Sequence, residues 1–456
     1  MPCIENWLDR INAWVWGPPL LLFVIGTGIY LTFLTRGLQF RYFWYALKLS
    51  FQRHKGEGAG DISHFQALMT ALGATIGVGT VAGVATAVVI GGLGSVFWML
   101  IVGLIGMATK YSESLLAIKY RITDRGGAMA GGPMYYIEKG LGWRKLGICF
   151  AIFGAISAFG SGNLVQAHSV ADVFHDIMGV PPLVSGIILS VLVGAVVLGG
   201  IKSIGRVAEY LVPFMALFYF VGCMVVLARF WSEIPHCIWV MIESAFTGQA
   251  AAGGFLGGTM ILAIQEGVSK GILSNESGLG SSAIAAAAAK SDYPGRQAMV
   301  SMMSTFFTLV VTTLTGLVIG VSGLLGQTGA GGKLLDGAPL TARVFADAMP
   351  FGGVILSIGL VLFAFSTIIG WAYYGEKCIE YMIGFKYIII FRILFTLAVI
   401  PGAVFSLRAV WRFAVIMNGL MSLPNLIGLI GLSAVIIVET RSFVHVIAKE
   451  KKDATS

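Results

Sequence analysis

The sequence predicts an all-α polytopic membrane protein with about eleven transmembrane helices, and three observations carry that expectation. Hydrophobic residues make up 57% of the 456 residues, and the mean hydropathy is +0.86. Asp, Glu, Lys and Arg together supply only 11%, against about a quarter in soluble domains, which leaves too little charge to face water. Apolar runs of about 20 residues recur along the chain, each long enough to cross the hydrocarbon core as a helix.

Taken in order, the expected spans are 16–35, 63–90, 94–118, 146–174, 183–200, 207–230, 238–270, 298–325, 352–383, 387–404 and 410–438. The first follows Glu5, Asp9 and Arg10 and ends at Arg36 without a small-residue cleavage site, so it reads as a retained helix. Residues 38–51 alternate aromatics with Arg41 and Lys48, the pattern of an amphipathic helix on the cytoplasmic surface. Every second connection is basic: Arg36 to Lys55 after the first span, Arg121 to Lys145 after the third, Lys202 and Arg206 after the fifth. Lys290 and Arg296 follow the seventh, and Arg441, Lys449, Lys451 and Lys452 follow the last. The alternate connections are neutral or acidic, with Asp172 and Asp176, then Glu233 and Glu243. That bias places the N-terminus outside and the C-terminus in the cytoplasm, with Arg408 and Arg412 as exceptions.

The same distribution explains the net charge of +8 without nucleic acid. Five scattered cysteines, with no CxxC, imply neither a disulfide framework nor a metal knuckle. No P-loop GxxxxGK[ST] occurs, so ATP bound by this chain does not supply the driving force. No cofactor and no obligate protein partner are implied.

The second span is interrupted by its own sequence. Gly73, Thr75, Gly77, Gly79, Thr80 and Gly83 fall where a spanning helix should be most regular. Glycine costs about 1 kcal/mol more than alanine inside a helix. An unwound turn frees amides and carbonyls that need partners in hydrocarbon. A bound ion with a bound polar solute would supply them; a close helix crossing that merely wants small residues is the other reading. The seventh span carries a similar weak point, from Gly253 through Phe255 to Gly257, Gly258 and Thr259. With the first span set aside, the second and seventh each open a set of five and enter from opposite faces. The expected organisation is therefore residues 1–62 as a leading helix and surface segment, 63–230 and 231–440 as two inverted repeats, and 441–456 as a cytoplasmic tail.

Several residues then become candidates for chemistry. Amides near Gly77 to Thr80, at a half-helix N-terminus, suit a carboxylate, and freed carbonyls suit an ammonium. Ser366 and Thr367 offer adjacent hydroxyls in the ninth span, and back-bonding to their own helix is the alternative reading. Asn163 and Gln166, three apart, are expensive to point at lipid and are expected to face the interior. His168 suits either a proton relay or a structural hydrogen bond. Glu266 and Lys270, one turn apart, are expected to neutralise each other. The polar, glycine-rich stretch from Ser274 through Asn275 and Glu276 to Ser281 reads as a cytoplasmic hinge or gate.

Two enzyme motifs occur and are weak. Gly58-Ala59-Gly60-Asp61 matches the GxGD of aspartyl membrane proteases, but Asp61 sits in a charged loop without a second membrane aspartate to share its proton. Gly320-Val321-Ser322-Gly323 matches the GxSG of rhomboid-type proteases, but Ser322 falls at a helix end and His168 precedes it. An ion channel would line its pore with rings from symmetric subunits, whereas this chain carries its symmetry internally.

The longer motifs point elsewhere. Residues Gly60 to Leu68, Gly83 to Ala87, Gly131-Gly132-Pro133-Met134-Tyr135-Tyr136-Ile137, Gly162 to Gln166, Ser274 to Ser281 and Gly370-Trp371-Ala372-Tyr373-Tyr374-Gly375-Glu376-Lys377 resemble the alanine or glycine:cation symporter family of prokaryotic secondary transporters. The resemblance covers nearly the whole chain. It implies a leucine-transporter-type fold, a multi-pass protein of the cell membrane, and sodium-driven uptake of a small neutral amino acid by alternating access. On that template the sodium site uses the Gly73 and Ile76 carbonyls with Ser366 and Thr367. The substrate lies against Thr75, Gly77, Gly79, Thr80, Gln166, Phe255 and Trp371. The sequence departs from the family pattern at Val78 and Thr80 in the break, and at His168, Gln265, Lys270 and Phe307. A different small substrate or partial proton coupling through His168 is therefore the alternative within the family.

Overall fold

The computed structural model describes residues 2–52, 58–247, 260–328, 334–405 and 408–453. Among them, eight helices are long and apolar enough to cross a bilayer: Trp7–Leu34, Gly94–Lys119, Arg144–Asp176, Gly200–Arg229, Pro294–Val321, Gly352–Ile383, Phe385–Val404 and Val410–Gly431. A ninth crossing is formed by two shorter helices, His64–Thr75 and Val78–Gly91, bent by 45° at their junction. The apolar helix Pro182–Val197 is shorter. Helices Ile234–Thr247 and Met260–Asn275 flank residues 248–259, so the expected weak point of the seventh span, with Phe255, Gly257, Gly258 and Thr259, lies outside the described residues. Each expected span thus has a helix or helix pair at its place, while the count of eleven is not reached by length and apolarity alone.

Two segments differ from expectation. The surface segment is two short helices, Leu38–Arg41 and Phe43–Phe51, and it packs inward: Phe43 meets Phe306 edge-on at 4.9 Å, and Phe51 meets Phe307 at 6.0 Å. The last expected span stops at Gly431, and a separate helix, Ser433–Asp453, continues to the tail. Its Glu439 pairs with Lys119 at 2.7 Å, and its Glu450 accepts from Arg296 at 2.5 Å. Arg412, an exception to the charge bias, is matched by Asp9 at 2.9 Å, so its charge is balanced locally.

Polar connections hold the ends of the bundle in register. Ser63 and Gln66 form a reciprocal capping box at the start of the first half-helix, which satisfies two of its orphan backbone donors. The Gln66 side chain also donates to Glu209 at 2.9 Å. Arg121 donates to the carbonyls of Ala59, Ala287 and Ala289, and Asp61 accepts from the Met129 amide at 2.7 Å. Lys377 is buried between Asp124 and Glu380, and Arg392 makes a bidentate pair with Glu376.

Small residues let backbones touch where side chains would hold them apart. A Cβ on Gly94 would lie 2.6 Å from the backbone of Ser244 and Ala245. Neither backbone group can move without separating the helices. We therefore expect Gly94→Ala to lower unfolding stability in detergent by ~1–3 kcal/mol, the usual cost of overpacking. An unchanged thermal midpoint would contradict this packing.

Candidate functional site

The break in the second span is where polar groups from distant parts of the chain converge. Its first half ends as the Ile76 amide bonds the Leu72 carbonyl at 2.7 Å. Ile76 and Gly77 then leave helical geometry, with φ/ψ of −84°/79° and −110°/−174°. The second half begins at Val78 with no side-chain cap; the Thr80 amide bonds the Gly77 carbonyl at 3.0 Å, while the Val78 and Gly79 amides lack intrahelical partners. Thr80 bridges the interruption, donating its hydroxyl to the Thr75 carbonyl at 2.7 Å. Thr75 itself back-bonds to Ala71 at 3.0 Å.

The freed Gly73 carbonyl is met from helix Gly352–Ile383. Ser366 Oγ donates to it at 3.0 Å and Thr367 Oγ1 at 3.1 Å. Ser366 also back-bonds to Phe363 at 2.9 Å, so both readings of that hydroxyl are realised. All three residues are buried. Gly77 must be glycine for this approach, because a Cβ there would sit 2.6 Å from Thr367 Oγ1 and 3.5 Å from Gln166 Oε1. By contrast, Cβ positions on Gly79 and Gly83 would meet nothing within 4 Å.

A cavity with about 760 Å³ of empty space, counting the part that opens to solvent, runs along the break. Its wall contains Thr75, Gly77, Gly79, Thr80, Gln166, Thr367 and Trp371, seven residues brought together from three separate spans. Glu276 of the expected gate is in the same wall, whereas Asn275 turns back to accept from the Ser277 amide at 2.9 Å. Gly73, Ile76 and Ser366 stand behind that wall, and Ile76 borders a separate apolar pocket that also includes Phe307.

Several expected placements are corrected. Asn163 and Gln166 both face the interior as expected, but not one common face, because a π-helical turn at Gly160–Leu164 adds a residue to the helix and rotates its faces. Asn163 donates to the Phe395 carbonyl at 2.6 Å, while Gln166 reaches the cavity and donates to the Ser161 carbonyl at 3.1 Å. His168 lies off the cavity wall and pairs with Asp172 at 3.4 Å. Glu266 and Lys270 do not pair within 4 Å; Glu266 Oε2 is buried without a partner, and Lys270 belongs to the cavity wall. Asp61 and Ser322, the motif residues of the protease readings, are engaged in backbone bonds to Met129 and Ile319.

Ser161, Lys270, Trp411 and Asn418 also line the cavity and were not singled out as binding residues from sequence. Asn418 did carry a signal, being an amide inside the otherwise apolar run after Phe413. Ser161 and Trp411 carried none beyond their positions.

The turn after helix Met260–Asn275 closes one end of the cavity through Glu276 and Leu279. Glu276, Gly278 and Gly280 all have positive φ, so the turn is sharply folded. Glu113 accepts from the Gly278 amide at 2.9 Å and from Asn425 at 2.7 Å, and Asn425 also donates to the Gly278 carbonyl at 2.9 Å. Lys110 donates to Ser282 at 2.6 Å. Buried charges and amides from two other spans therefore pin this turn in place.

Comparison with known proteins agrees with this architecture. The model of the sodium:alanine symporter family matches residues 1–456. The chain is 52% identical to the sodium/alanine symporter AgcS of Methanococcus maripaludis over 98% of this chain and 99% of that one. It is 47% identical to an uncharacterized transporter of Haemophilus influenzae over 96% of each chain. It is 33% identical to the probable sodium/glutamine symporter GlnT of Bacillus subtilis, over 96% of this chain and 91% of that one. The solved structure of MhsT in complex with L-phenylalanine superposes with a TM-score of 0.54 at 14% identity, over 84% of this chain and 99% of that chain. That likeness gives the leucine-transporter-type fold. This multi-pass membrane protein is a secondary transporter, not an enzyme, and it belongs to the sodium:alanine symporter family.

Proposed function

We propose that the protein carries a small neutral amino acid into a prokaryotic cell together with sodium, by alternating access about the cavity at the broken span. The observation that carries this reading is the convergence of Ser366 and Thr367 on the Gly73 carbonyl, beside a cavity with Thr367 in its wall. Hard cations take oxygen ligands, and carbonyls with hydroxyls form a neutral set suited to a monovalent ion. Sodium, as cargo, would take the Gly73 and Ile76 carbonyls with the two hydroxyls. Ion binding there would draw the first half-helix and helix Gly352–Ile383 together, and so couple occupancy to the shape of the adjacent cavity.

The substrate would lie against Thr75, Gly77, Gly79, Thr80 and Gln166, with Trp371 limiting side-chain size and Phe255 as a further contact. Its carboxylate would meet the uncapped amides that open helix Val78–Gly91. His168 is not part of the cavity wall, so the reading gives it no contact with the substrate. Residues 63–230 and 231–440 would form the inverted repeats, Asn275 and Glu276 the cytoplasmic gate, and the N-terminus would face outward. Uptake of labelled alanine, glycine and serine into proteoliposomes, with and without an inward sodium gradient, tests the reading. Concentrative uptake that needs the gradient is expected, and a passive current without solute accumulation would overturn it.

Two sets of variants probe the site directly. Thr367→Ala should raise the sodium concentration for half-maximal uptake by about tenfold, equivalent to about 1.4 kcal/mol, while leaving membrane insertion intact. Unchanged sodium dependence would count against this ion site. Gly77→Ala drives a methyl group into Thr367 and should abolish most uptake, whereas Gly79→Ala fills open space. The Gly79 variant should keep sodium dependence and shift selectivity from serine toward glycine. Equal losses in the two glycine variants would contradict the geometry.

A further inference from the structure

Lys270 differs from the other cations held inside the bundle. Lys377 is paired with Asp124 and Glu380, Arg392 with Glu376, and Arg296 with Asp292 and Glu450; Lys110 donates to Ser282. Lys270 is half-buried in the cavity wall and has neither hydrogen bond nor ion pair among the described residues. Glu276, the acid in the same wall, is already engaged, accepting from Ser281 Oγ at 2.6 Å. A cation partly removed from water without a counter-ion attracts an anion.

The wall also holds the converse. Gln166 and Asn418 are each 5% exposed, and both direct their NH₂ groups at Ser161: Gln166 to its carbonyl at 3.1 Å, Asn418 to its hydroxyl at 3.1 Å. This leaves Gln166 Oε1 and Asn418 Oδ1 buried without a donor. An acceptor stranded in this way costs about 1–3 kcal/mol, and a ligand ammonium removes the deficit. Gln166 Oε1 is the acceptor near Gly77, so the ammonium site adjoins the break.

We infer that Lys270 and Asn418 complete the substrate site proposed above, Lys270 sharing the α-carboxylate with the half-helix N-terminus and Asn418 sharing the α-ammonium with Gln166. Lys270 and Asn418 are then specificity-determining residues: Lys270 separates α-amino acids from amines and amides, and Asn418 separates them from simple carboxylic acids. The inference rests on the transport reading above and assigns groups that the ion site does not use.

The test is equilibrium binding of L-alanine and L-alaninamide to the purified full-length protein at saturating sodium and pH 7. The wild type should prefer alanine. Lys270→Gln should weaken alanine about tenfold, roughly 1.4 kcal/mol, with alaninamide unchanged, and Lys270→Arg should restore the preference. Lys270→Met, of similar length and apolar, provides a second neutral variant if the glutamine variant folds poorly. Asn418→Leu should weaken both ligands equally, since both keep the ammonium. A wild type that binds the two ligands alike, or a Lys270→Gln variant that loses both in parallel, overturns the inference. Normal sodium-driven uptake alongside either of those results leaves the transport reading standing and removes this one. The expected binding pattern without sodium-driven uptake does the reverse.

Discussion

A backbone carbonyl freed in the middle of a membrane must be met by some donor or cation, and that constraint organises this molecule. The Gly73 carbonyl receives two hydroxyls from helix Gly352–Ile383 across almost 300 residues of sequence. Without them the first half-helix would end on an unsatisfied acceptor in hydrocarbon, at a cost of several kcal/mol. The same contact brings the two elements close enough for Gly77 to lie against Thr367, and it sets one wall of the cavity. A single packing contact therefore fixes both the break and the site beside it.

A second constraint acts on charge. Buried ions in the described bundle are matched nearly throughout, some by acids in neighbouring spans and some by backbone carbonyls. Lys377, Arg392 and Arg121 hold the connections between spans, while Glu113 and Lys110 hold the turn at residues 276–282. Breaking one partner of such a pair strands the other in a medium that solvates it poorly. The ends of the helices are consequently tied firmly. In the cavity wall Gln166 Oε1 and Asn418 Oδ1 are buried without a partner, as Thr27 Oγ1 and Glu266 Oε2 are elsewhere, and Lys270 forms no ion pair among the described residues.

Much of the fold was legible in the sequence because its signals are local. Apolar run length placed the helices, and the cluster of Gly73, Gly77, Gly79 and Gly83 placed the bend at Ile76–Gly77 within the second span. The hydroxyl pair Ser366 and Thr367 was conspicuous in an apolar run, and it does meet the break. Less legible was the direction in which each polar side chain would turn. Asn163 and Gln166 share a helical face on paper, but the π turn at Gly160–Leu164 sends one to Phe395 and the other to the cavity. Glu266 and Lys270 have ideal spacing for a pair and do not form one.

By itself, then, the sequence determined the membrane-spanning character, the positions of the spans and the place where the second must lose its winding. These follow from hydrophobic length and glycine content, which act within a few turns of chain. Only the tertiary structure decided which groups meet across the break, that Asn418 and Ser161 join Gln166, and that Lys270 has no counter-ion among the described residues of the cavity wall. Those outcomes depend on how spans hundreds of residues apart rotate and pack, a balance of close contacts and desolvation that no short window of sequence contains.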